Sequence, residues 1–264
     1  MKRLDIYLVE KGLAQSREKA KDSIQKGLVS VNGTVITKPS FNVDDNANVE
    51  FNAAEAMPFV GRGGLKLEKA IVDFNLGFKD KYILDVGAST GGFTHCALQH
   101  GAAFVWAVDV GTNQLDSSLK INQQVCSMEE CDIRTLEESA IPRKVDFIVA
   151  DLSFISLTMV APFLPKFLTP NGAMMLLIKP QFEAGRVFVG KNGLVKNPKV
   201  HVDVINRVAE AFGKLGYSLS ALSHSPIYSK EKNIEYLAFF SHSNLQVADV
   251  KQKVNFAFEF QKKL

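Results

Sequence analysis

One short stretch restricts the fold of this chain more than any other. Ile83-Leu84-Asp85-Val86 is an aliphatic run of strand length, Gly87-Ala88-Ser89-Thr90-Gly91-Gly92 is a glycine-rich turn, and the residues from Phe93 onward read as an amphipathic helix. A strand feeding such a turn and then a helix is the opening unit of a doubly wound α/β sheet. Backbone amides at the helix start can there face a ligand without a side chain in the way. The spacing narrows the ligand. A dinucleotide fingerprint needs G-x-G-x-x-G, and Ala88 and Ser89 stand where the close approach to a pyrophosphate is required. A phosphate loop ends in G-K-[ST], and Gly92 is followed by Phe93 and Thr94. What remains is a nucleoside cofactor without a phosphate chain. Asp85 suits the ammonium of an amino-acid moiety, and Asp109, ending a second strand in Ala107-Val108-Asp109-Val110, suits a ribose diol. S-adenosylmethionine has both groups. The ordinary alternative is a tight βα turn of any doubly wound sheet, with Asp109 a strand-end residue.

The rest of the chain supplies such a sheet. Strands are expected near 82–86, 103–109, 145–150, 173–179, 217–224 and 234–240, and helices near 64–74, 91–100, 156–168 and 199–215. This alternation implies a parallel sheet covered on both faces. Only a loop, Ser225 to Asn233, separates the last two strands, which makes that pair antiparallel. Val247, Val250, Val254 and Phe258 place a helix packed on the body in the tail from Gln246 to Leu264. Ahead of this, Leu4, Tyr7, Leu8 and Leu13, then Ala20 and Ile24, recur at helical spacing, with Ser16 as N-cap of the second helix. Leu28 to Thr34 is a strand entering an Asn-Gly turn, and Val49-Glu50-Phe51 is a further short strand. Asn52 to Met57 reads as a linker, which divides the chain into domains of residues 1–58 and 59–264.

At 264 residues and 46% apolar content the chain can bury a sizeable core, and its net charge of +3 leaves any nucleic-acid surface to local clustering. Three cysteines, Cys96, Cys126 and Cys131, lack paired spacing, which argues against a disulfide framework or a zinc site and for a reducing compartment. The N-terminus has no apolar secretory region and no run reaches membrane-spanning length, so a cytoplasmic location is expected.

Two charged groups fall at strand carboxyl ends, where a doubly wound sheet holds its ligands: Asp151 after Val145 to Ala150, and Lys179 after Met174 to Ile178. Lys66 follows Arg62-Gly63-Gly64-Leu65, and Glu235 lies in Asn233-Ile234-Glu235-Tyr236. Singly, each has an ordinary account as a helix cap, a solvated end or an outward strand position.

Together they match a pattern. Along nearly its whole length the chain resembles the TlyA (hemolysin A) family of ribosomal RNA methyltransferases, whose catalytic domain is of the FtsJ (RrmJ) 2′-O-methyltransferase type. The resemblance rests on Arg62-Gly63-Gly64-Leu65-Lys66-Leu67, on Asp85 through Thr94, on Val108-Asp109-Val110-Gly111, on Asp151-Leu152-Ser153-Phe154-Ile155-Ser156-Leu157, and on Lys179-Pro180-Gln181-Phe182-Glu183. Arg3-Leu4-Asp5, Gly12-Leu13, Ser16-Arg17, Ala20 and Gly27 through Gly33 resemble an S4-type RNA-binding domain. The resemblance implies a Rossmann-like S-adenosylmethionine-dependent methyltransferase fold behind a small α+β domain, acting on ribosomal RNA or ribosomal subunits, with cytidine in 16S or 23S RNA as target. It implies a catalytic tetrad at Lys66, Asp151, Lys179 and Glu235. It also implies cofactor contacts at Asp85, Gly87, Ser89, Thr90, Gly91, Gly92, Asp109 and Asp132, and RNA contacts at Arg3, Arg17, Lys19 and Lys21.

A ribose hydroxyl must lose its proton as it attacks a sulfonium methyl, so a base or a positive field is needed at that oxygen, and no metal. Lys179 is the candidate, its amine tuned by burial and by Lys66. Two departures stand out: His95 replaces the usual aspartate, and Cys131-Asp132-Ile133-Arg134 replaces T-N-[VI]-R, leaving Asp132 able to accept from an adenine amino group. The competing functions are a membrane-active hemolysin, a non-catalytic ribosome-binding protein, and a base methyltransferase, for which an aromatic stacking platform is expected instead of paired lysines.

Overall fold

The computed structural model describes residues 1–264 except 15, 45, 53–56, 228, 230, 244–248 and 264. The chain divides into two compact units, Met1–Pro58 and Phe59–Leu264. Residues 53–56 of the expected linker and Val247 of the expected tail helix lie outside the described residues.

The first unit comprises β1 (Lys2–Arg3), α1 (Leu4–Glu10), α2 (Arg17–Gln25), β2 (Val29–Val31), β3 (Thr34–Val35), β4 (Asn42–Val43) and β5 (Val49–Phe51). Leu4, Leu8, Ala20 and Ile24 meet Val29, Val31 and Val43 in one small core. Ser16 caps α2, its Oγ accepting from Lys19 N at 3.3 Å. The Asn32-Gly33 turn joins β2 to β3 as an antiparallel hairpin, with Val31 opposite Thr34.

The second unit runs α3 (Gly63–Phe74), β6 (Tyr82–Val86), α4 (Gly92–Gln99), β7 (Phe104–Val108), α5 (Ser117–Lys120), β8 (Val125–Met128), β9 (Val145–Ala150), α6 (Leu157–Val160), β10 (Leu168–Ile178), α7 (Pro180–Glu183), α8 (Pro198–Gly213), β11 (Ser218–His224), β12 (Tyr236–Ser241) and α9 (Val250–Lys262). One seven-stranded sheet has the order β11-β12-β10-β9-β6-β7-β8. It is parallel from β10 to β8, and β12 lies antiparallel to both β10 and β11. Strand pleating sorts the core into two layers. Ile83, Val149, Met175, Leu177 and Leu237 face α3 and α4, whereas Leu84, Ile148, Met174, Leu176 and Ile178 join Val204, Val208, Phe212, Val254 and Ala257 of α8 and α9 on the other side.

Besides the single-turn helices α5 and α7, which lie outside the expected set, two elements differ from expectation. The helix expected over 156–168 is a single α-turn, α6, followed by two 3₁₀ turns, because Pro162 and Pro165 sit at the helical starts of those turns and cannot donate to a continuous ladder. Strand β8, not anticipated, adds a parallel edge beside β7.

Candidate active site

Sheet direction gathers the charged residues. Because β6, β9 and β10 are parallel, the residues leaving their carboxyl ends, Gly87, Asp151 and Lys179, emerge on one edge. Antiparallel β12 begins at that edge, with Tyr236 opposite Ile178, so Glu235 arrives beside Lys179 from the opposite chain direction. Lys66 comes from the first turn of α3, which packs along α4. That packing explains the glycines at both helix starts. A Cβ on Gly92 would lie 2.8 Å from Gly64 N, and one on Gly64 would lie within 2.6 Å of the Phe59 side chain.

The four residues form one network. Lys66 Nζ lies 2.9 Å from Asp151 Oδ2 and 2.7 Å from Glu235 Oε2. Lys179 Nζ lies 2.7 Å from Asp151 Oδ1, an ion pair bent off the hydrogen-bond direction, and donates to Ser153 Oγ at 2.8 Å. Lys66 and Lys179 are only 9% and 7% exposed. Burial pushes the Asp151 carboxyl up, but the ammonium groups of Lys66 and Lys179 outweigh it and hold the group below its ordinary value. At Lys66 burial pulls downward, yet Asp151 and Glu235 outweigh it and the amine is raised. Two carboxylates at contact distance thus keep Lys66 a cation.

A cavity of about 1130 Å³ opens on this edge. Of the residues expected to hold a cofactor, Gly87, Ser89, Asp109 and Asp132 line it; of the tetrad, Asp151 does. Asp109 is fixed by two backbone amides, accepting from Ser89 N and Gly111 N at 2.7 Å each. Asp132 is taken by Arg134, which donates to both of its oxygens. Thr90, Gly91 and Gly92 do not line the cavity. Gly91, at φ 90°, turns the chain into α4, where a Cβ would strike Leu119. Asp85 of β6, which precedes the wall residues Val86 and Gly87, is fully buried and does not line the cavity. Its Oδ2 accepts from Thr94 Oγ1 at 2.7 Å and its Oδ1 has no hydrogen-bond partner. Burial pushes this carboxyl up to about 7. His95 is a packed histidine, its Nδ1 accepting from Val60 N at 3.1 Å.

Three residues beyond the expected set belong to this region. Ser153 completes the Lys179 contacts, Phe154 sits 92% exposed at φ 64° with its ring 5.0 Å from that of Phe182, and Gln181 lines the cavity with a buried, unpartnered Oε1. All lie in segments quoted above, but their side-chain partners are not legible from spacing.

The family model described as FtsJ-like methyltransferase matches residues 59–242. The chain belongs to that family. As an FtsJ-like methyltransferase it also carries an S4 domain, matched at residues 2–49. It is 38% identical over 234 residues to the 16S/23S rRNA (cytidine-2'-O)-methyltransferase TlyA of Mycobacterium tuberculosis, covering 89% of this chain and 87% of that one. It is 39% identical over 239 residues to Hemolysin A of Brachyspira hyodysenteriae, covering 90% and 99%. A solved structure from Streptococcus thermophilus that bears a hemolysin label superposes with a TM-score of 0.76 at 40% identity, covering 99% of this chain and 97% of that one. In this FtsJ-like methyltransferase no helix among the described residues is long and apolar enough to cross a membrane.

Within the S4 domain the structure brings Arg3 and Arg17 together on one buried acid. Arg3 Nε donates to Asp5 Oδ1 at 2.9 Å, and an Arg17 guanidinium nitrogen to Oδ2 at 3.2 Å. Asp5 is fully buried while both arginines are exposed. Hydrogen bonding from Arg3 drives the Asp5 carboxyl down to about 2. Lys19 and Lys21 are half-buried on α2.

Proposed function

We propose that this protein transfers a methyl group from S-adenosylmethionine to a ribose 2′-hydroxyl of ribosomal RNA, in the cytoplasm, with a cytidine in 16S or 23S RNA as target. The observation that carries the reading is the Lys66–Asp151–Lys179 network, with Glu235 on Lys66, at the edge of the cavity. The S4 domain and the rRNA methyltransferase names borne by relatives support RNA, presented as free RNA or in ribosomal subunits, as the substrate.

The residues fit the cofactor. Asp109 presents a carboxylate acceptor in the cavity wall for a diol, beside Gly87 and Ser89, and Asp85, the residue before the wall residues Val86 and Gly87, keeps a buried oxygen with no hydrogen-bond partner, which favours a ligand that brings a donor, as an ammonium does. Asp132, held by Arg134, is a weaker candidate for the adenine contact. When bound, S-adenosylmethionine supplies an electrophilic methyl on a sulfonium.

The chain's own work is at the hydroxyl. Lys179, anchored by Asp151 and Ser153, takes the departing proton or stabilises the negative charge that develops on the oxygen. Lys66 is a fixed cation that orients Asp151, and Glu235 holds Lys66 in turn. Arg3 and Arg17 contribute phosphate contacts from the S4 domain, with Lys19 and Lys21 flanking them.

The aromatic pair Phe154 and Phe182 provides a surface on which a base can stack. Aromatic rings therefore do not separate ribose from base methylation here, and the position of the product methyl does. Ribosomal subunits from cells lacking the protein are incubated with enzyme and S-adenosylmethionine, and their RNA is subjected to alkaline hydrolysis. A 2′-O-methyl spares the bond that follows it. A methyl on a base, with every bond cleaved, would overturn the proposed reaction, and no incorporation would favour a non-catalytic ribosome-binding protein.

A further inference from the structure

Glu183 is a buried acid, 8% exposed, that the charged network does not use. It ends α7, four residues after Lys179, and both of its oxygens reach across to another segment. Oε2 accepts from Ser156 Oγ at 2.6 Å and Oε1 from Leu157 N at 2.7 Å, so one carboxylate satisfies the N-cap hydroxyl and the first amide of α6. Its own carbonyl accepts from Arg207 of α8.

The loop so fastened is residues 151–156, which joins β9 to α6. Its first residue is Asp151, the ion bridge between Lys66 and Lys179; its third is Ser153, the other Lys179 contact. Lys179 and Glu183 thus stand at two ends of one turn and grip two ends of one loop. Between the grips Phe154 holds φ 64°, a conformation that a residue of this size keeps only when its surroundings impose it.

We infer that Glu183 is a positioning residue for methyl transfer: its carboxylate ties loop 151–156 to α7 and so sets where Asp151 and Ser153 meet Lys179. The inference rests on the reaction proposed above. Chemistry explains why an acid serves here. Two donors, a hydroxyl and an amide, need two acceptors at one place. Glutamine keeps an acceptor for Leu157 N, and the Ser156 hydroxyl can turn to accept from its amide, whereas alanine leaves the Leu157 amide buried without a partner and frees the Ser156 hydroxyl to turn to Thr158 Oγ1, 2.7 Å away.

The test compares wild type, Glu183→Gln and Glu183→Ala in methylation of ribosomal subunits, with S-adenosylmethionine binding by calorimetry and thermal melting as controls. Glu183→Ala is expected to lower kcat about a hundredfold, the effect of displacing reacting groups by about 1 Å. KM for subunits stays near wild type, any loss of cofactor affinity is much smaller than the loss of kcat because Asp109, Gly87 and Ser89 keep their places in the cavity wall, and Glu183→Gln restores most of the rate. Should Glu183→Ala not fold, Ser156→Ala removes one of the two ties and is expected to give a smaller loss of kcat with cofactor binding intact. An unchanged kcat in whichever of these variants folds would overturn the inference, as would Glu183→Gln as impaired as Glu183→Ala. A wild-type protein inactive on subunits strikes instead at the reaction itself.

Discussion

Asp85 is expected to lower the stability of the ligand-free protein at neutral pH, and Asp85→Asn should show it. The carboxyl is fully buried with one oxygen unpartnered, and burial raises its pKa from the ordinary 3.8 to about 7. Below 3.8 the group is protonated in folded and unfolded chains alike, and no penalty arises. Between 3.8 and 7 the folded state keeps the proton that the unfolded state releases, so stability falls as pH rises through this window. At 1.36 kcal/mol for each tenfold in proton affinity, the rise from 3.8 to about 7 amounts to about 4 kcal/mol lost by pH 8, an upper figure. Asn cannot ionise, and its Oδ1 can still accept from Thr94. Its unpartnered amide costs about 1–3 kcal/mol at every pH, which leaves a net gain of about 1–3 kcal/mol at pH 8. Urea denaturation at pH 5 and pH 8 measures both. The wild-type midpoint should fall between the two pH values more steeply than that of Asp85→Asn, and the variant should bind S-adenosylmethionine more weakly. Identical pH profiles for the two proteins would refute the reasoning.

Lys179→Ala should reduce methylation about a hundredfold or more, the range for loss of a general base, while calorimetric binding of S-adenosylmethionine persists; wild-type turnover would remove Lys179 from the chemistry. Asp5→Ala should free Arg3 and Arg17 from their shared anchor and weaken RNA binding, with a shallower dependence of affinity on salt; filter binding at two salt concentrations checks this. His201 is buried, its Nε2 donating to Val195 O and its Nδ1 accepting from the Tyr236 hydroxyl, and burial lowers its pKa. This histidine should therefore subtract stability as pH falls below 6.5, opposing the gain from Asp85, and His201→Gln should be stabilised relative to wild type on going from pH 7 to pH 5 in urea titrations.

Some of this was legible in the residues and some was not. The turn after β6 reads correctly as the opening of a doubly wound sheet because strand, glycines and helix are contiguous, so local propensity and global fold agree. Packing accounts for two of its glycines. Gly91 and Gly92 are small for the sake of Leu119 and of the Gly61–Gly64 backbone, contacts that come from distant segments. No spacing rule links Lys66, Asp151, Lys179 and Glu235; family pattern named them, and sheet direction explains why they meet. Strand β8 is four residues at a sheet edge, too short for a periodic signal. The break of the helix expected over 156–168 has its cause in Pro162 and Pro165, both plain in the sequence. Glu183 lies inside a quoted motif, yet a sequence does not show that an acid is buried when its donors, Ser156 and Leu157, belong to another loop.

The placement of β12 has a consequence for the order of assembly. Both of its neighbours, β10 and β11, precede it in the chain, and it slots between them in the opposite direction. During synthesis the sheet can pair from β6 through β10 while a gap waits beside β10. Glu235 reaches Lys66 only when the last strand closes that gap. Lys66 and Asp151 can meet long before the chain is finished, but the ion network lacks its final member until residue 235 has left the ribosome, so a partly made copy holds an incomplete site.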